Sequence, residues 1–305
     1  MRKLPLLAVA GYAYKFLIED TATILRLSWL PLLLVTIVQY FTMRAFYRAL
    51  RTALETGSVA SLSDTSAIWS IWGSAMPAWQ LPGAVAVVIG TSIVAVALHR
   101  VILMGDRRPG LLVHFAFGKV EMLFVFLPII GMAIAISGSM LLIGMIEALL
   151  GDKNPALNLV FILVWCALIF CVVRLAMIFP VTVIESRYDF RQAWALTRGN
   201  FWRLVGLGIV VFVPSLIVAG MVSYAFAPAS GLAQLIETGS SGNQPSGVFD
   251  VIESNLVVQS IIGYLWSIVS GALGVAMLSY AYKALNGVGP DEVWTPDNKP
   301  RLIGT

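Results

Sequence analysis

Arg174 is the residue whose type and position point most directly to chemistry. Ten uncharged residues flank it on each side. A charge held in hydrocarbon costs at least ~2.5 kcal/mol on insertion scales, so its guanidinium must face protein or water and find an acceptor. The candidates are backbone carbonyls released by Pro180, Pro31 or Pro128, or the phosphate of a lipid. Glu185 follows eleven residues on, about 16 Å along a straight helix and out of reach.

Two further arginine sets have helical spacing. Arg187, Arg191 and Arg198, with Arg203 behind them, face away from Phe190, Trp194 and Phe201. A helix so divided lies in the headgroup plane and favours anionic lipid, or serves simply to fix topology. Arg44, Arg48 and Arg51 share one helical face. They either snorkel to headgroups beyond the end of a span or form an outward-facing anion or lipid site.

Catalytic candidates are sparse. Glu185 and Asp189 are the one carboxylate pair beside a basic helix. There is no phosphate-cradling glycine loop, no HExxH and no GxSxG. His99 and His114 are the two histidines, neither near a carboxylate cluster, so neither a metal site nor any other cofactor is expected. Cys166 and Cys171 are five residues apart, on different faces of a helix, and read as small core residues. The chemistry points away from an enzyme.

The elements that must position these residues follow from composition. Of 305 residues, 59% are hydrophobic and 12% charged, and the mean hydropathy is +0.87. Soluble domains run nearer ~45–50% apolar and ~25% charged, and one of this size could not hide so much apolar surface. A soluble enzyme, a disordered chain and a nucleic-acid-binding domain are excluded. An all-α polytopic membrane protein is expected, a single integral domain over 1–305.

Six apolar runs are long enough to span a bilayer: about 22–46, 81–103, 121–146, 156–184, 204–227 and 256–283. The intervening stretches sort by charge. Arg107, Arg108 and Lys119 lie between the second and third runs, and the four arginines from Arg187 to Arg203 between the fourth and fifth. Segments 55–80 and 228–255 contain no Lys or Arg. The positive-inside rule places both termini in the cytoplasm, and the net charge of +4 reflects this topology. The apolar stretch Leu4–Leu7 is too short for a signal-peptide core, so the N-terminus is expected to be retained. Trp69, Trp72 and Trp79 suggest a short interfacial helix within 66–79, and 238–247 reads as a loop.

An internal repeat organises the spans. Trp29-Leu30-Pro31, Phe126-Leu127-Pro128 and Phe212-Val213-Pro214 mark the first, third and fifth. Amphipathic stretches precede them at 11–20, 110–119 (containing His114) and 188–199. The unit reads as interfacial helix, ascending span, descending span, three times over. Pairs such as Gly131/Ala135, Ser267/Gly271 and Ser270/Gly274 have the small-xxx-small spacing of packed membrane helices.

The stretch from Arg174 through Pro180 to Glu185, followed by Ala195-Leu196-Thr197-Arg198-Gly199-Asn200-Phe201-Trp202, resembles a bacterial family. It is similar to the six-span membrane domain attached to some glycerophosphoryl diester phosphodiesterases, and to related stand-alone inner-membrane proteins. The match covers about 50 residues strongly and the six-span layout loosely. It departs where the family commonly has a serine, since Ala193-Trp194 stand there. The resemblance implies a bacterial inner-membrane location and marks Arg174, Pro180, Glu185, Gly199, Asn200 and Trp202 as motif positions. It does not imply the phosphodiesterase activity, because the His/Glu/Asp metal set is missing. The expected function is non-catalytic: binding or organising membrane phospholipid or a membrane-protein partner, which includes a second copy. The alternative is a transporter or lipid translocator, favoured by repeats, prolines in spans and a buried arginine.

Overall fold

A computed structural model describes residues 2–56, 77–107, 114–150, 156–225 and 246–293. The described residues form α1 (Leu6–Glu19), α2 (Thr21–Glu55), α3 (Pro77–Met104), α4 (Lys119–Leu150), α5 (Ala156–Leu175), α6 (Ile178–Glu185), α7 (Phe190–Thr197), α8 (Phe201–Ala225) and α9 (Ser246–Asn286). Among them, five segments are long and apolar enough to cross a membrane: Thr21–Ala53, Gly83–Met104, Ile162–Glu185, Phe201–Ala225 and Asn255–Asn286. The third expected span, 121–146, falls within the continuous helix α4, part of whose side chains lie outside the described residues. The tryptophan stretch up to Met76 and residues 238–245 also lie outside them. Ser246 and Gly247, expected in a loop, open α9.

The bundle is built around α2, α3 and α9, which pack along one another. One core gathers Phe16 of α1, Ile24 and Leu27 of α2, Leu98 and Val101 of α3 and Ala272 and Ala276 of α9. A second joins Leu4, α1, α6, α7, α8 and α9 through Met177, Ile178, Ala193, Leu207 and Tyr282. A third and smaller one, Val96, Val120, Phe124 and Val183, ties α3, α4 and α6 together. Outward faces are apolar. Leu159, Ile162, Leu163 and Val172 of α5 and Leu216, Ile217, Val218 and Met221 of α8 are all exposed. Contiguous apolar surface on this scale is a surface for lipid.

Gly90 sets the closest approach of α2 and α3. A Cβ there would run into Val35 Cγ2 and stand 3.2 Å from the Pro31 carbonyl oxygen. The expected small-residue pairs behave differently. Gly131 and Gly271 have nothing within 4 Å of an added Cβ, so they face outward rather than packing. Gly274 alone of these meets a neighbour, the Phe212 ring, at 3.4 Å. The spacing identified small residues, but the turn of the helix decided which face met a partner.

Prolines act in two ways. Pro31, Pro128 and Pro214 lie inside continuous helices. Each of these helices also accepts a tyrosine hydroxyl on a nearby main-chain carbonyl: Tyr264 donates to Trp29, Tyr188 to Leu123 and Tyr14 to Val211. None is the carbonyl that proline orphans four residues back; each lies on the residue beside it or two away. Pro180 instead ends a helix. It lacks the N–H that would bond the Ala176 carbonyl, and its ring crowds that carbonyl. Helix α5 therefore stops at Leu175 and α6 restarts at Ile178, so the fourth expected span is two helices in series.

Two other expectations change. Residues 114–118 are not helical, and His114 is buried rather than set on an interfacial helix. Cys166 and Cys171 are exposed, because α5 runs along the outside of the bundle. In that setting a cysteine is a small apolar side chain facing lipid, not core.

Candidate functional site

The segment 176–203 is built by a chain of local signals. Pro180 sits in the first turn of α6, whose Ile178, Pro180, Val181, Thr182 and Val183 are buried. Ser186 closes that helix in the left-handed region at φ 52, with its N–H on the Thr182 carbonyl at 2.9 Å. Asp189 then caps α7, accepting from the Gln192 N–H at 2.8 Å. Asp189 thus satisfies an orphan amide at a helix N-terminus. Gly199 turns the chain at φ 77, a conformation that favours a residue without Cβ, and α8 begins two residues later.

Arg174 latches α5 onto α7. Its Nη1 donates to Thr197 Oγ1 at 3.4 Å, and the Thr197 hydroxyl lies 3.0 Å from the Arg174 carbonyl. The guanidinium carbon stands 4.6 Å from the centre of the Trp194 ring and 5.6 Å from that of Phe170, within cation–π range of both. Its acceptors are none of the proline-released carbonyls expected. Nε is buried and has no hydrogen-bond partner among the described residues.

Asn200 and Arg203 hold the N-terminal segment. The Leu4 N–H donates to Asn200 Oδ1 at 3.0 Å, and Asn200 Nδ2 donates to the Arg2 carbonyl at 3.1 Å. Arg203 Nη1 donates to the Leu4 carbonyl at 2.8 Å. Asn200 is buried and Leu4 fully so. Sequence reading missed this clamp, because its partner is main chain about 200 residues away.

The remaining arginines divide. Arg44 Nε and Arg48 Nη2 both contact Glu253 Oε1 of α9, at 2.7 and 3.1 Å. The hydrogen bond from Arg44 and, after it, the one from Arg48 hold the Glu253 carboxyl below its usual range despite some opposing desolvation. Arg51 is also engaged. By contrast, Arg187, Arg191 and Arg198 are exposed, and their side chains have no hydrogen bond or ion pair among the described residues. Beside them Phe190 is 48%, Trp194 40% and Trp202 79% exposed. Ala193 and Thr197 of α7 are fully buried.

Two buried polar contacts had also escaped the sequence reading. Arg100 of α3 pairs with Glu121 of α4 at 2.9 Å, the Glu121 side chain being 2% exposed. His99 Nδ1 lies 2.6 Å from Ser279 Oγ of α9. Glu121 was legible as an acidic residue opening an apolar run; its partner was not. Among the described residues no group of three or more His, Cys, Asp or Glu could hold a metal. No family model, no curated protein and no solved structure matches the chain.

Proposed function

We propose that this chain is a non-catalytic integral protein of a bacterial inner membrane that binds anionic phospholipid through α7 and the residues flanking it, with both termini in the cytoplasm. The observation that carries the reading is the divided use of arginines. Arg44, Arg48, Arg174 and Arg203 serve internal contacts and Arg51 is also engaged, whereas Arg187, Arg191 and Arg198 stand exposed beside Phe190, Trp194 and Trp202. Aromatic rings at headgroup depth flanked by unpaired guanidiniums suit an anionic leaflet. A six-span layout with a threefold repeat, and kinship with the phosphodiesterase-associated membrane domains, belong to the same proposal.

Each basic residue near an anionic surface contributes about 1 kcal/mol. Replacing Arg187, Arg191 and Arg198 by Gln should therefore weaken retention of anionic phospholipid about a hundredfold. Native mass spectrometry of the gently extracted protein measures this directly. Equal retention of anionic and zwitterionic lipid by wild type and variant would refute it and leave the arginines as topology determinants.

Lipid translocation is the second reading, and one observation favours it: the fourth span is discontinuous at Ala176–Met177, beside Arg174. Broken helices are a recurrent device of transporters. If Arg174→Ala leaves the distribution of lipid between leaflets unchanged in cells, that reading is lost at this residue.

A further inference from the structure

We propose that a crevice between α2, α3 and α9, at the end of the bundle away from α1 and α7, binds the phosphate-bearing headgroup of a phospholipid. It does not depend on the α7 reading, since the two places are at opposite ends of the helices. The cavity has a volume of about 640 Å³, within the ~300–1,000 Å³ usual for small-molecule sites.

Its polar lining is unusual for apolar helices. Gln39, Tyr40 and Tyr47 come from α2, and Gln259, Ser260 and Tyr264 from α9. The Ser260 and Tyr264 hydroxyls are spent on the Leu256 and Trp29 carbonyls. The Gln39 and Gln259 amides and the Tyr47 hydroxyl have no hydrogen-bond partner among the described residues. Both glutamines are exposed at the crevice, so their amides, each able to donate and to accept, are open to a polar occupant.

Charge and shape select which one. Arg44 and Arg48 lie within about a turn of Tyr40 and Tyr47, and they share a single oxygen of Glu253. Among the described residues two guanidiniums meet one carboxylate beside the crevice, which leaves positive charge and unused N–H groups for a phosphate. Thr36 and Thr42 also line the crevice, their hydroxyls bonded within α2, and Met43, Ala84, Val87 and Leu256 add an apolar stretch of wall. A free phosphate would use the charge alone. A phospholipid uses the charge with its phosphate, the amides with its headgroup, and the apolar wall with its glycerol and upper acyl chain.

The test uses the full chain, delipidated in detergent and titrated with phosphatidylglycerol, with bound lipid counted by native mass spectrometry. Gln39→Leu with Gln259→Leu removes the amides at similar volume. Losing two such hydrogen bonds should weaken one binding event about tenfold. Gly263→Phe fills the crevice from α9, where an added Cβ meets nothing within 4 Å, and should abolish the same event. Circular dichroism identifies which variants are folded, and one folded variant suffices. The Arg187, Arg191 and Arg198 to Gln variant should keep this event intact, which separates the site from the α7 interface. An unchanged lipid count in a folded crevice variant overturns the proposal. Displacement of the lipid by inorganic phosphate alone, at the concentration at which it binds wild type, also overturns it, in favour of a free-anion site.

Discussion

At the scale of single residues, the polar groups of this chain divide into those that hold its own backbone and those left for the surroundings. Asn200 is the clearest of the first kind. Its amide satisfies the Leu4 N–H and reaches the Arg2 carbonyl, so it fixes the position of a segment that precedes the first helix. Asn200→Ala leaves the buried Leu4 N–H without a partner, and the expected loss is about 1–3 kcal/mol. Amide exchange checks this locally: Leu4 should lose protection by far more than residues of α3. Equal protection in both proteins would mean that Arg203 alone holds the segment. Arg174 belongs to the same class, since its guanidinium is taken up by Trp194, Phe170 and Thr197.

At the scale of helices, packing is decided by where a side chain is missing or an N–H is missing. Gly90 admits Val35 and Pro31 of α2 against α3. Gly90→Leu would force these helices apart. Overpacking of this kind costs about 1–3 kcal/mol. A lowered midpoint of thermal unfolding, with helix content unchanged at low temperature, is the expected result. A midpoint equal to that of wild type would show that the contact yields freely. Pro180 plays the opposite part by removing a donor. It divides a 24-residue apolar segment, Ile162–Glu185, into an exposed helix and a buried one.

At the scale of the whole molecule, the apolar exterior defines how the chain meets its solvent. Helix α5 presents Leu159, Ile162, Leu163, Trp165, Ile169 and Val172 outward, and both cysteines lie on this helix and are exposed. In a membrane such thiols face hydrocarbon. Cys166 and Cys171 should therefore react with an apolar, membrane-soluble maleimide in intact vesicles. They should resist a charged maleimide until detergent is added. Rapid labelling by the charged reagent in intact vesicles would place α5 against water and contradict the membrane reading of this face.

The sequence by itself determined the class and the elements: an all-helical chain, apolar segments of spanning length, and charge concentrated in particular connections. These properties are local. Apolar run length and the lack of breakers are written residue by residue, and a helix satisfies its own backbone wherever it lies. Arg174 was legible too, as a charge out of place in an apolar run, whereas Gly199 and Asn200 stood out only as positions of the motif the stretch resembles. What those residues touch was not. The N-terminal main chain on Asn200, Glu253 on Arg44 and Arg48, and Glu121 on Arg100 are contacts between distant segments. No periodicity encodes them, since each depends on which helix lies beside which and on how far each is turned about its axis. The same rotation put Cys166 and Gly131 outside, although composition suited them to a core. Tertiary structure also gathered Gln39 and Gln259, 220 residues apart in sequence, around one crevice, because only the packing of α2 against α9 brings two isolated amides to the same depth.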